Sequence, residues 1–218
     1  MKFDALLFDC DGVLVDSEHI TTAVLRDMLA EAGWVMTAQE CLDTFLGKAV
    51  LDQSALIAER TGQAVTPEWL DGFRRRRDVR LAAEVRAIPG VATALQTLHA
   101  QYGSRMACAS GADRGKIELQ LGQTGLSTFF SSERIYSGYE QAQNKPAPDV
   151  YLAAARGLGV QAPRCAVIED SPTGVRAGAA AGALVLGYAP LGQDEALLAA
   201  GATRVFRHMD ELPALLLG

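Results

Sequence analysis

Several features that mark large protein classes are scarce or missing in this sequence. Its four cysteines (Cys10, Cys41, Cys108 and Cys165) are widely spaced and include no C-x-x-C pair. That excludes a dense disulfide framework and makes zinc a poor expectation. Reduced thiols in a cytoplasmic protein are expected instead. Long hydrophobic runs are also missing, because the apolar stretches at 3–8 and 183–186 fall far below the roughly 18 residues that span a bilayer. Met1-Lys2-Phe3-Asp4 opens no secretory pattern. Basic charge is in deficit, with 20 lysines and arginines against 26 acidic residues and a net charge of -6. Such a balance suits neither the nucleic acid backbone nor an anionic membrane surface. Lysine is especially rare, 4 residues against 16 arginines, although four arginines are consecutive at 74–77. A local anion site therefore remains compatible with the overall charge.

What is present describes a globular chain with a substantial core: 218 residues, 49% of them hydrophobic. At about 150 residues per domain, one domain plus a smaller module is expected. Short apolar runs at Ala5–Phe8, Arg105–Ala109, Ala166–Ile168 and Ala183–Leu186 have the unbroken character of buried parallel strands. Helical patterns lie between them. Val91, Ala94, Leu95 and Leu98 share a face ahead of Gly103, and Tyr151, Leu152, Ala155 and Leu158 do so ahead of Gly159. Ser171-Pro172 supplies a cap and a ring-locked first residue for a helix ending at Gly182. Alternation of strand and helix predicts a parallel sheet covered on both faces.

From Ser17 to about Glu84 the pattern changes and no convincing strand appears. Ile20, Val24, Met28 and Ala32 form one helical stripe, Leu51, Ala55 and Ala58 a second, and Thr66-Pro67-Glu68 opens a third helix. The expectation is an α/β core from residues 1–16 and 86–218, interrupted by a helical module at 17–85.

The chemistry concentrates in Phe8-Asp9-Cys10-Asp11-Gly12-Val13-Leu14-Val15-Asp16-Ser17-Glu18. Asp9 and Asp11 follow an apolar strand, at the carboxyl end where ligand crevices of open α/β sheets form. Two carboxylates converging there repel unless a cation or proton lies between them, so either a divalent metal or a shared acid/base role follows. Glu169-Asp170 ends a second strand in the same way. If the two strands are neighbours, the combined carboxylates suit a hard cation with oxygen ligands, magnesium above all. Ser110-Gly111 closes a third strand and offers a hydroxyl and backbone N–H groups to an anion. Lys145 stands in Asn144-Lys145-Pro146-Ala147-Pro148-Asp149, where two prolines stiffen its mount.

In this order and context the four segments FDCDGVLVDSE, ACASG, NKPAPDVY and IEDSPTGVRAG resemble the haloacid dehalogenase superfamily along the whole chain. The helical insertion is similar to that of the subgroup containing β-phosphoglucomutase and many sugar-phosphate phosphatases. The resemblance implies a Rossmann-like core, a mobile four-helix cap and a magnesium-dependent phosphatase of small phosphorylated metabolites. By the same resemblance Asp9 is the nucleophile that becomes an aspartyl phosphate, and Asp11 the acid and base. Ser110, Gly111 and Lys145 would hold the transferring oxygens. Asp9, Asp11 through its backbone carbonyl, Glu169 and Asp170 would hold Mg²⁺. A monomer or weak homodimer is expected.

Rival activities can be weighed on single residues. Asp11 and the acidic pair at 169–170 count against halide displacement, and Asp11 also counts against a Schiff-base hydrolase using Lys48. A hexose-phosphate mutase shares both aspartates, but its cap arginine would fall in Gly47-Lys48-Ala49-Val50, where Val50 cannot contact phosphate. Tyr136–Glu140 and His208–Pro213 are similar to bacterial phosphatases of 6-phosphogluconate. A catalytically silent binding protein is the reading from another class, since fold does not dictate activity. Lys48 and Arg75, one of the four consecutive arginines, are candidates for a second anionic group of the substrate. His19, His99 and His208 are not expected to act. Gly111–Lys116 has a superficial likeness to a phosphate loop, but it is one residue short and Ile117 stands where a metal-binding hydroxyl is needed.

Overall fold

The computed structural model describes residues 3–45, 48 and 50–218. The chain divides into two compact units, Met1–Asp16 with Arg86–Gly218, and Ser17–Val85. In the first unit, strand β1 (Ala5–Phe8) is buried at every position, as befits four apolar residues at the centre of a sheet. Two residues of β2 (Val15–Asp16) pair antiparallel with β3 (Arg86–Ala87).

The second unit holds helices α1 (Glu18–Glu31), α2 (Ala38–Phe45), α3 (Ser54–Thr61) and α4 (Pro67–Glu84). Val24, Leu25, Leu29, Cys41, Phe45, Ile57 and Phe73 form its core. Thr66 caps α4 by accepting from the Trp69 N–H at 3.2 Å. The stripe expected through Leu51, Ala55 and Ala58 is not the buried face. Leu51 lies in a 3-10 turn ahead of α3 and is 50% exposed, while Ile57 is the buried residue of that helix. An i, i+4 step counted from outside the helix does not follow the helix face.

After β3 the first unit continues with α5 (Val91–Tyr102), β4 (Met106–Ser110), α6 (Arg114–Gln123), β5 (Ile135–Ser137), α7 (Asp149–Gly157) and β6 (Cys165–Glu169). It then closes with α8 (Pro172–Ala180), β7 (Leu184–Tyr188), α9 (Asp194–Ala200), β8 (Arg204–Phe206) and α10 (Leu212–Leu217). Among the described residues six strands form one sheet in the order β5-β4-β1-β6-β7-β8, and every pairing is parallel. Alternate residues serve opposite faces. Ala5, Leu7, Ala107, Ala109 and Val167 pack with Tyr151, Ala154 and Val175 from α7 and α8. Leu6, Phe8, Met106, Cys108, Ala166 and Ile168 are equally buried on the other side. The stripe expected on α7 is partly misplaced, for Leu152 is 37% exposed and Val150 and Ala154 are buried instead.

Register decides where chemistry is possible. Phe8 pairs with both Cys108 and Ile168, so the residue after β1 lies level with the ends of β4 and β6. The Asp9 N–H still donates to the Ile168 carbonyl at 3.0 Å. Residues from three distant stretches of sequence, Asp9, Ser110 and Glu169, are thus brought to one edge of the sheet. No helix among the described residues is long and apolar enough to cross a membrane.

Candidate active site

Lys145 is the hub of the strand-end cluster. Its ammonium donates to Asp9 Oδ1 at 2.8 Å, to Glu169 Oε1 at 2.8 Å and to the Tyr151 hydroxyl at 2.9 Å, which accounts for all three N–H donors. The Tyr151 hydroxyl in turn donates to Glu169 Oε1 at 3.0 Å. Burial works against the charge on Lys145, but Asp9 and then Glu169 outweigh it and hold the ammonium well above the ordinary lysine range. Asn144 fixes the loop that carries the lysine. Its Oδ1 accepts from the Lys145 N–H at 2.8 Å, and its Nδ2 donates to the Gly111 carbonyl at 2.9 Å.

Asp9 is only 7% exposed. Burial pushes its carboxyl up to about 7; Lys145 opposes that shift, and the charges of Glu169 and Asp11 add to it. Glu169, fully buried, accepts at Oε2 from the Asp170 and Ser171 N–H groups and from the Ser171 hydroxyl. Ser171 also caps α8 by accepting from the Gly174 N–H at 3.0 Å. Two glycines make this packing possible. A Cβ on Gly174 would sit 1.5 Å from Glu169 Oε1, and one on Gly12, whose φ is +77°, would sit 2.0 Å from Asp170 Oδ2. The glycine of the D-x-D-G segment thus leaves room for the second acidic pair to approach the first.

One oxygen each from Asp9, Glu169 and Asp170 lie within 4.8 Å of one another. All three are hard donors, the kind magnesium takes. Charge supports the fit as well. Four carboxyl groups, Asp9, Asp11, Glu169 and Asp170, face two ammonium groups, Lys116 and Lys145, and a divalent cation would offset that imbalance as a phosphate approaches.

The Asp11 carboxylate is not part of this group of three. Its Oδ1 accepts from Lys116 Nζ at 2.7 Å and from Gln120 Nε2 at 2.9 Å, both on α6. Ser110, 1% exposed, accepts from the Ala112 N–H at 3.1 Å and sits beside Gly111 at the loop before α6.

Other candidates lie in the helical unit. Lys48 is exposed and donates to the Thr44 carbonyl in the last turn of α2 at 2.8 Å. Gly47 and Ala49, which flank it in the segment weighed for mutase activity, fall outside the described residues. Arg75 is exposed and makes no ion pair among the described residues, whereas Arg74, Arg76 and Arg77 pair with Asp71, Glu31 and Asp78. His19 and His208 are exposed, and His99 packs edge-on against Phe129. Sequence reasoning missed Lys116, Gln120 and the hydroxyl of Tyr151. Lysine scarcity, which drew attention to Lys145, applied equally to Lys116.

Carboxylates, a buried lysine and a hydroxyl gathered at the carboxyl ends of a parallel sheet are the groups that phosphoryl chemistry uses. Residues 3–182 match the haloacid dehalogenase-like hydrolase family, and the chain belongs to that family. Its relatives include phosphatases. It is 26% identical to the 6-phosphogluconate phosphatase of Escherichia coli, across 98% of this chain and 95% of that protein. It is 31% identical to the plasmid-borne phosphoglycolate phosphatase of Cupriavidus necator, across 97% and 92% respectively. A crystal structure of a family hydrolase from Deinococcus radiodurans with bound phosphate and sodium is 37% identical. It has a TM-score of 0.78 and covers 99% of this chain and 95% of that one.

Proposed function

We propose that the protein is a Mg²⁺-dependent phosphatase that hydrolyses a small phosphorylated metabolite, a sugar or sugar-acid phosphate, through an aspartyl phosphate on Asp9. The observation that carries this reading is the Asp9 carboxylate fixed by Lys145 at one oxygen, beside Glu169, Asp170 and Ser110. Asp9, Asp170 and Glu169 would hold the magnesium, which when bound supplies the charge that lets a phosphate approach the carboxylates.

In the first step the Asp9 carboxylate attacks phosphorus while the bond to the leaving oxygen breaks. Asp11 gives that oxygen a proton, so a strongly basic alkoxide is never released. In the second, water attacks the phosphoryl group, its proton passes to Asp11, and Asp9 departs as carboxylate. Ser110 and the Gly111 N–H receive charge on the transferring oxygens. Lys145 acts mainly by orienting Asp9 and neutralising its charge, because its three donors are already engaged. A substrate oxygen that bonds to it must displace one of those partners.

The named substrates of two relatives, 6-phosphogluconate and phosphoglycolate, both carry a carboxylate besides the phosphate. That supports a phosphorylated acid as substrate. The test is phosphate release from a panel of phosphorylated sugars, sugar acids and short hydroxy acids. Turnover that is highest on one such acid, lost with chelator and restored by Mg²⁺, is the expected result. Equal, slow turnover on every member, or turnover indifferent to chelation, would refute the reading.

A further inference from the structure

Lys116 and Gln120 take no part in the steps above, yet both are buried at the site. Lys116 is 8% exposed and Gln120 is fully buried. They stand four residues apart on α6 and therefore share one face of the helix. Their side chains converge on the same oxygen, Oδ1 of Asp11, at 2.7 and 2.9 Å. Gln120 is itself oriented, since its Oε1 accepts from the Cys10 thiol at 3.6 Å. The helix that carries both is anchored at its start, where Asp113 accepts from the Lys116 N–H at 3.0 Å.

A buried ion pair is a weak source of stability, because desolvation offsets most of its attraction. A carboxylate on a turn, gripped at one oxygen by two donors from a separate helix, has instead lost its rotational freedom. Proton transfer in a transition state requires the donor to sit within hydrogen-bond reach of the leaving oxygen. We propose that Lys116, seconded by Gln120, is a positioning residue that sets the direction of the Asp11 carboxyl toward the leaving group. The proposal rests on the reading of Asp11 as the leaving-group acid.

Leaving-group chemistry separates this role from a purely structural one. A nitrophenolate departs without help, whereas an alkoxide needs a proton, and kcat/KM reports the steps up to departure of the leaving group. Positioned acids contribute on the order of 10²–10⁴-fold, so mispositioning Asp11 costs part of that range on alkyl phosphates. For Lys116→Met, kcat/KM on the better of 6-phosphogluconate and phosphoglycolate should fall about 10–100-fold, with a several-fold smaller loss on p-nitrophenyl phosphate. Lys116→Arg, which keeps a charged donor, should recover much of the alkyl activity. Should Lys116→Met fail to fold by circular dichroism, Gln120→Met removes one donor and should show the same selectivity at smaller amplitude. Equal losses on both substrates, or no recovery with arginine, would overturn the proposal. Asp11→Asn serves as the separate control. If it does not discriminate between the two leaving groups, the assignment of Asp11 itself fails, independently of Lys116.

Discussion

Ion pairs at the strand ends of the first unit and on the helices of the second use charge in different ways. At the strand ends of the first unit, Lys145 and Lys116 pair with Asp9, Glu169 and Asp11, partners up to 136 residues away, with side chains 0–18% exposed. On the second unit, Arg74 and Arg80 pair with Asp71 and Glu84 one helical turn away, and Arg76 with Glu31. There the side chains are 38–60% exposed. Exposed pairs cost little to form and contribute little, being solvated and screened. Buried pairs carry a desolvation penalty that stability alone does not justify. Burial together with long sequence separation, not the count of charges, separates chemistry from surface in this chain.

Substitutions that remove one charge at a time sharpen this contrast. Lys145→Met should have the largest effect. Phosphate release should fall at least about 10²–10³-fold, as when one charge-stabilising donor is lost from a site. Asp9 and Glu169 would also face each other without a counter-ion, which should cost about 3–5 kcal/mol in urea denaturation without divalent cation. Added Mg²⁺ should recover part of that stability. A Lys145→Met protein as stable as the parent would mean that the cluster is not held by the lysine.

Gly174→Ala acts on the same cluster without removing a charge. Its methyl would occupy the position of Glu169 Oε1, so Glu169 must move. A stability loss of about 1–3 kcal/mol is expected from overpacking, with phosphate release down about 10-fold or more from the misplaced neighbours of Asp9. The smallest effect belongs to the other unit. Arg76→Ala and Arg80→Ala should leave the melting temperature and phosphate release essentially at parental values, and a loss matching Lys145→Met would collapse the comparison.

Legibility in the sequence followed the same division. The strands carrying Asp9, Ser110 and Glu169 were readable because unbroken apolar runs ended in polar residues, and Ser171-Pro172 located the α8 cap. β5 and β8, three residues each, are too short to show a period. Lys116 stayed hidden because its partner lies 105 residues away and nothing local in α6 marks it. In the sequence Tyr151 is one residue of an apolar helical stripe. Its ring is indeed buried, but the hydroxyl reaches Lys145 and Glu169, a dual use that periodicity cannot reveal. Leu51 misled because the chain turns just before α3, and side-chain direction there does not follow the helix count.

The most direct measurement is to quench the enzyme in acid during turnover of a phosphorylated acid with Mg²⁺ present and to map the phosphoryl group by mass spectrometry. A phosphoryl adduct on Asp9, absent from Asp9→Asn together with turnover, is the predicted result. An adduct on another residue, or an Asp9→Asn variant that still releases phosphate, would contradict the account.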